Sequence, residues 1–127
     1  AAGVCGEYTE AQFNTTDKTA STNATSTAAS TGTTATTTQN DEFFIGTIGF
    51  TTGSTKNDTN AFDPVIEPAA AGIRCTYLEK SVSTTGTAVC GSTLSSSQAW
   101  SGAIATFYSV PLIATNKNAL MMMGVGT

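Results

Sequence analysis

The side chains that could carry out acid–base chemistry are few, and the most useful one is missing. The chain contains no histidine, the residue that most often moves protons near neutral pH, so Ser-His-Asp and Cys-His arrangements are excluded. Two carboxylates could still act as a glycosidase pair, and the candidates are Asp41, Glu42, Asp58, Asp63 and Glu67. Nothing in their spacing selects two of them. We therefore expect no catalytic residues and a protein that is not an enzyme.

No motif in the sequence identifies a metal or cofactor site. Structural zinc sites need histidine or closely paired cysteines, and the three cysteines contain no CxxC pair. Asp58, Asn60 and Asp63 lie in one polar stretch, but their spacing does not match a calcium-binding EF-hand, whose glycine and distal glutamate are also missing. No glycine-rich phosphate-binding pattern is present. The sequence therefore predicts no metal and no cofactor.

The three cysteines could form a disulfide. Cys75 and Cys90 lie in two β-forming segments, and a bond between them would close a loop of about 16 residues and stabilise the fold by roughly 3 kcal/mol. A tight hairpin turning at residues 83–86 would leave the two sulfurs roughly 13 Å out of step. Either the loop is not a simple hairpin, or it turns nearer Val82, or Cys75 bonds Cys5 instead. We expect a Cys75–Cys90 bond, with Cys5 unpaired or linked to another chain.

The overall composition restricts the cellular compartment and the classes of partner that we expect. Only 11% of the 127 residues are charged and the net charge is -4, so no basic patch is available for nucleic acid. The apolar runs are shorter than the roughly 20 residues of a transmembrane helix. A chain that begins Ala-Ala-Gly is typical of signal-peptidase cleavage, so we expect a secreted protein, extracellular or at the cell surface. Three sequons, at Asn14, Asn23 and Asn57, permit N-linked glycans.

The elements that position these residues are predicted to be strands. Residues 41–50 are predicted to form a central strand with a bulge at Gly46 or Gly49, and two prolines make residues 61–68 an edge or connecting segment. Five to seven strands with little helix predict a mostly-β protein, a single antiparallel β-sandwich or barrel-like domain over residues 41–127. Its predicted core consists of Phe43, Ile45, Ile48, Phe50, Ile73, Trp100, Ile104 and Phe107.

Residues 1–40 are predicted to form an extended Thr/Ser/Ala-rich N-terminal arm. Threonine and serine make up about 30% of the chain, and residues 14–40 bring too little apolar surface to offset the entropy of ordering them. We expect the arm to order through packing or assembly, chiefly as strands shared with a neighbouring subunit. Its Thr-x-Thr pairs resemble those of ice-binding proteins in composition only, because their spacing drifts where a solenoid would keep a fixed period.

These features favour a structural protein over an enzyme. The leading hypothesis is a non-enzymatic structural subunit of an extracellular assembly, such as a filament, a pilus or a surface coat, whose partners are other copies of itself. One alternative is a decoration protein on a virus-like capsid. Another is a carbohydrate- or surface-binding module that uses Trp100, Tyr77 and Tyr108 as stacking platforms, although aromatic residues also pack in ordinary β-cores.

Overall fold

The computed structural model describes residues 13–109, which contain seven β-strands and no helix. The strands are β1 (Phe13–Ser30), β2 (Glu42–Thr51), β3 (Lys56–Thr59), β4 (Asp63–Ile66), β5 (Ala69–Ala70), β6 (Ile73–Val82) and β7 (Gly91–Ser109). They form one antiparallel sheet in the order β1-β7-β2-β6-β4, with β3 paired to β7 and β5 paired to β6. The predicted mostly-β antiparallel fold is confirmed, but the sheet is not closed into a barrel. Residues 13–109 provide no helix that is long and apolar enough to cross a membrane.

Strand β2 lies at the centre of the sheet, as predicted, and its side chains show that the two faces of the sheet differ in burial. Its residues alternate between buried and half-buried, the period of two that places successive side chains on opposite faces of a strand. The face that carries Phe44 and Ile48 is buried, and we call it the covered face. The other carries Ile45 and Thr47, and we call it the open face. The two faces therefore have different environments.

The core on the covered face contains half of the predicted set. Four predicted core residues are buried: Ile48, Phe50, Trp100 and Ile104. Three more are half-buried and lie on the open face: Phe43, Ile45 and Phe107. Ile73 is 42% exposed, so its assignment to the core is wrong. Buried large apolar residues outside the predicted set are Phe44, Phe62, Tyr77, Leu78 and Leu94.

Two segments without regular strand structure, residues 31–37 and residues 86–90, lie across the covered face, and we call them the covering layer. Two glycines of the sheet let this layer approach closely. A Cβ atom at Gly46 would lie 2.5 Å from the Sγ atom of Cys90, and one at Gly102 would overlap the backbone of Ser30. The need for close backbone approach explains why glycine occurs inside these strands.

Strand β2 runs through its glycines without interruption. Its register with β6 and with β7 is continuous along the strand. The bulge predicted at Gly46 or Gly49 is therefore absent, since a bulge would shift the register by one residue.

A ladder of threonines holds the covering layer together. Thr31, Thr34 and Thr37 are at most 4% exposed, and their backbone N–H groups donate to alternate carbonyl oxygens from Cys90 back to Gly86 at 2.9 Å. The three hydroxyl oxygens accept the backbone N–H groups of the same facing residues. Each step of the ladder thus spans three residues in the segment 31–37 but only two in the segment 86–90, so the intervening residues of the first segment are displaced outward. Every third position of this tract must be threonine-like for the ladder to form.

The rest of the threonine-rich tract is ordered within its own chain. Strand β1 pairs with β7 from Phe13 opposite Ser109 to Ser30 opposite Gly91, and residues 31–37 belong to the covering layer. The ordering entropy of residues 14–40 is thus offset by pairing and packing in the same chain, and a neighbouring subunit is not needed to explain it.

Strands β6 and β7 do not form a hairpin. Strand β2 lies between them in the sheet, and the connecting residues 83–90 pass over the covered face instead. The loop between Cys75 and Cys90 is therefore not a simple hairpin, which is one of the alternatives that the sequence left open.

Candidate functional site

No disulfide joins the two cysteines within residues 13–109. Cys75 is opposite Gly49 on the open face, whereas Cys90 lies against Gly46 on the covered face. Both thiols are free because the sheet separates them, so the expected Cys75–Cys90 bond is not formed. Burial raises the pKa of Cys90 to about 12, which keeps it a thiol at neutral pH and unreactive. Cys5 lies outside the described residues.

Two of the acidic candidates share one cation. Lys56 forms ion pairs with both Asp58 and Glu67, and the hydroxyl of Ser92 donates to Asp58 at 2.7 Å. These contacts tie β3 to β7 and to the chain that follows β4, which is a structural role. Asp41 and Asp63 are exposed, as is Glu67. In the described part of the chain, no three acidic or cysteine side chains meet to hold a metal ion.

The candidate with an unusual environment is Glu42, which lies near Asp17, a residue that the sequence did not single out. Glu42 is 1% exposed, and neither of its carboxyl oxygens has a hydrogen-bond partner among residues 13–109. Asp17 is well partnered: it accepts from Lys18 Nζ and from the backbone N–H of Thr38, both at 2.7 Å, and from the hydroxyl of Tyr108 at 3.2 Å. The two carboxyl groups are both buried but differ strongly in hydrogen bonding.

This difference moves the pKa values of the two groups apart. Burial, together with the negative charge of Asp17, raises the pKa of Glu42 above its ordinary value. Burial would also raise the pKa of Asp17, but hydrogen bonds from Lys18 and Thr38 outweigh it and hold that pKa far below its usual range. Two neighbouring carboxyl groups whose pKa values are pushed apart are the arrangement of an acid–base pair. However, Glu42 is 1% exposed and the Asp17 side chain 2%, so neither carboxyl group is accessible to a substrate in this conformation.

The three aromatic residues proposed as stacking platforms do not share a surface. Trp100 is opposite Phe50 on the covered face and Tyr77 is opposite Thr47 on the open face, and each is 8% exposed. The indole N–H of Trp100 donates to a serine hydroxyl, Ser26 Oγ, at 3.0 Å. A sugar ring therefore has no flat aromatic surface formed by these residues on which to stack.

Two of the three sequon asparagines are accessible. Asn23 on β1 and Asn57 on β3 are exposed, so an attached glycan would extend into solvent. Asn14 lies in β1, and its side chain is outside the described part of the structure.

The open face contains a groove that the sequence analysis did not anticipate. Three adjoining cavities of about 790, 530 and 340 Å³ lie along it. Neighbouring cavities share lining residues, such as Cys75 and Ala103 for the first two and Ser101 for the last two, so they form one continuous depression, the open-face groove. None of its lining residues is charged. A detectable signal was the run of small residues at alternate positions of β7, from Ala99 to Ala105.

The two edges of the sheet are also unequal. One edge is β1, an 18-residue strand whose only strand partner within the described chain is β7. The other edge consists of β4 and β5, with four and two residues, and β4 contains Pro64 and a register shift. Proline and irregularity protect an edge from pairing. The β1 edge contains no proline, and although its register with β7 shifts near both ends of the strand, it is continuous from Thr19 to Ser26.

Comparison with known proteins finds no match to this chain: no family model, no curated protein and no solved structure is significantly similar to it.

Proposed function

We propose that this protein is a non-enzymatic structural subunit of an extracellular assembly, a filament, pilus or surface coat, whose copies associate by strand pairing along the free edge of β1. The observation that carries the proposal is the length and openness of that edge. An unprotected edge strand presents unpaired N–H and C=O groups to any extended chain that meets it.

The composition of β1 supports this role. Its charged residues are Asp17 and Lys18, which form an ion pair with each other, and residues 19–30 carry neither a charge nor a proline. Lysine, proline and bulges are the usual features that prevent edge-to-edge association, and the segment from Thr19 to Ser26, where the register with β7 is continuous, contains none of them. Most of these side chains are exposed and small, so a second strand could approach without displacing a large group.

The opposite edge restricts the geometry of association. Because β4 is short and carries Pro64, it is a poor partner for an 18-residue strand. Pairing of β1 with β1 of a second copy is then the favoured contact, and it relates the two copies by a twofold axis. The resulting pair would be the building block, and a filament or coat would add a second contact between pairs.

A capsid-decoration protein could use the same edge, and only the shape of the particle separates it from the leading proposal. The carbohydrate-binding alternative is less favoured, because Trp100 and Tyr77 are buried on opposite faces of the sheet and Tyr108 is half-buried and hydrogen-bonded to Asp17.

The test is the size of the purified protein before and after the β1 edge is charged. We expect the parent chain to form pairs or larger particles in analytical ultracentrifugation and electron microscopy. Ala24→Lys combined with Thr25→Lys places a cation on each face of the edge strand and should shift the protein to monomers, with stability within about 0.5 kcal/mol of the parent.

The matched control is Ser83→Lys combined with Thr84→Lys, which adds the same two charges to exposed loop residues and should assemble as the parent does. A parent that stays monomeric at all concentrations would overturn the proposal. Equal assembly of the edge variant and the control would show that β1 is not the contact.

A further inference from the structure

The lining of the open-face groove indicates what kind of segment could bind in it. Its floor is formed largely by small residues, including Gly49, Ser101 and Ala103, whereas Ile45 and Ile73 provide larger apolar side chains along it. A floor of small residues allows a backbone to approach the sheet closely. Since the lining carries no charge, the occupant is expected to be apolar.

The chain supplies such a segment immediately after β7. Residues 110–127, VPLIATNKNALMMMGVGT, are mostly apolar and contain one charged residue, Lys117. The consecutive methionines from Met121 to Met123 are unbranched and flexible, and side chains of this kind fill irregular apolar space well. Pro111 has no backbone N–H and therefore does not favour a continued strand ladder.

The segment also starts in the right place and is long enough. Strand β7 runs along the groove floor from Ala99 to Ala105 and ends at Ser109, so the following residues emerge just beyond one end of the groove. The groove floor between these alanines is about 20 Å long. The far end at Ala99 lies ten residues, about 33 Å, back along β7 from Ser109. Residues 110–127 would cover about 27 Å as a helix and about 59 Å when extended, so the extended conformation reaches the far end whereas a helix covers only the nearer part.

We infer that residues 110–127 dock in the open-face groove of their own chain and complete the apolar cover of that face. Covalent connection favours this over docking in a second copy, because it gives the segment a high effective concentration at the groove. Residues 1–12 precede β1 at the same end of the sheet, since Phe13 is opposite Ser109. They are less suitable because they contain Glu7 and Glu10 and only one large aliphatic residue, Val4.

Cys75 lines the groove and serves as a native reporter. In a Cys5→Ser background, which removes the competing thiol, the full chain is prepared with Leu120→Cys, Met121→Cys or Met122→Cys, one at a time. Each variant is oxidised in dilute solution with copper phenanthroline and air, and its unreduced peptides are mapped by mass spectrometry. We expect at least one variant to form a bond between its tail cysteine and Cys75 within one chain. The thiols of these two residues should be lost, and the yield should be independent of protein concentration.

The control moves the reporter to the other side of the sheet. In the same tail variants, Cys75→Ser combined with Thr33→Cys places the target thiol on the exposed surface of the covering layer, and no bond within the chain is expected.

Three results would overturn the inference. The first is that no tail position bonds Cys75. The second is that the bonds join two chains, which would assign the groove to a neighbouring copy. The third is a bond between Cys5 and Cys75 in the unmutated chain, which would assign the groove to residues 1–12. None of these results depends on whether β1 mediates assembly.

Discussion

Glu42 has an unfavourable environment for an ionised group. Its side chain is enclosed, its oxygens have no hydrogen-bond partner among the described residues, and the ionised Asp17 lies near it. An unsatisfied buried polar group costs about 1–3 kcal/mol, and more when it is charged. Folding therefore shifts Glu42 toward its protonated form, whereas it shifts the hydrogen-bonded Asp17 toward its anionic form. The two groups must contribute to stability with opposite dependence on pH.

We expect a stability maximum between the ordinary pKa values of the two groups, 3.8 for Asp17 and 4.5 for Glu42. The folded pKa of Asp17 is lowered, so its contribution is present above pH 3.8 and is lost as the pH falls through the folded value. The folded pKa of Glu42 is raised, so its contribution is present below pH 4.5 and is lost as the pH rises through the folded value. Glu42→Gln should remove the second effect and stabilise the protein at pH 7 by on the order of 1 kcal/mol.

Chemical denaturation between pH 3 and pH 8 measures both limbs of this profile. Asp41→Asn removes a charge from the exposed neighbour of Glu42 and should leave the shape of the profile unchanged. If Glu42→Gln keeps the decline above pH 4.5, other groups cause it.

At the scale of the elements, the sequence predicts strands better than it predicts their neighbours. The alternation and apolarity of β2 are local properties, so its central position could be inferred. The course of residues 83–90 depends on a contact with residues 31–37 that is distant in sequence, and this is why the sequence did not reveal that Cys75 and Cys90 lie on opposite faces and cannot bond. The useful threonine period was also hidden, because Thr31, Thr34 and Thr37 stand among many other threonines and only the structure identifies the buried ones.

The threonine ladder yields a matched pair of variants. Thr34 Oγ1 accepts the backbone N–H of Ala88 at 2.9 Å, and Thr34→Val keeps the shape of the side chain but leaves that buried donor unpaired. We expect a loss of about 1–3 kcal/mol in the free energy of unfolding. Thr36→Val makes the same change at an exposed position of the same segment and should cost no more than about 0.5 kcal/mol. Equal effects in denaturant titrations would mean that the ladder contributes nothing specific to stability.

At the scale of the whole molecule, the sheet is asymmetric in both directions. One face is closed by the covering layer and the other contains an uncharged groove; one edge is short and interrupted by proline and the other is long and open. Neither asymmetry follows from composition, because both depend on the strand order that places β1 and β4 at opposite edges. They give the protein two distinct surfaces, the groove that we propose for residues 110–127 and the β1 edge that we propose for a second copy.

Hydrogen exchange resolved by residue can test the edge and the origin of order in β1 together. Between Thr19 and Ser26 the register with β7 is continuous, and in an antiparallel pair alternate residues direct their N–H groups toward the partner and away from it. The monomeric Ala24→Lys, Thr25→Lys variant should therefore show slow and fast amides in alternation along β1. In the assembled parent the fast amides should also become slow, because a second strand pairs with them, whereas the outer amides of β4 should not change. Free exchange along all of β1 in the monomer would mean that a neighbouring subunit orders it after all. Alternation that persists in the assembled protein would instead place the contact between copies elsewhere.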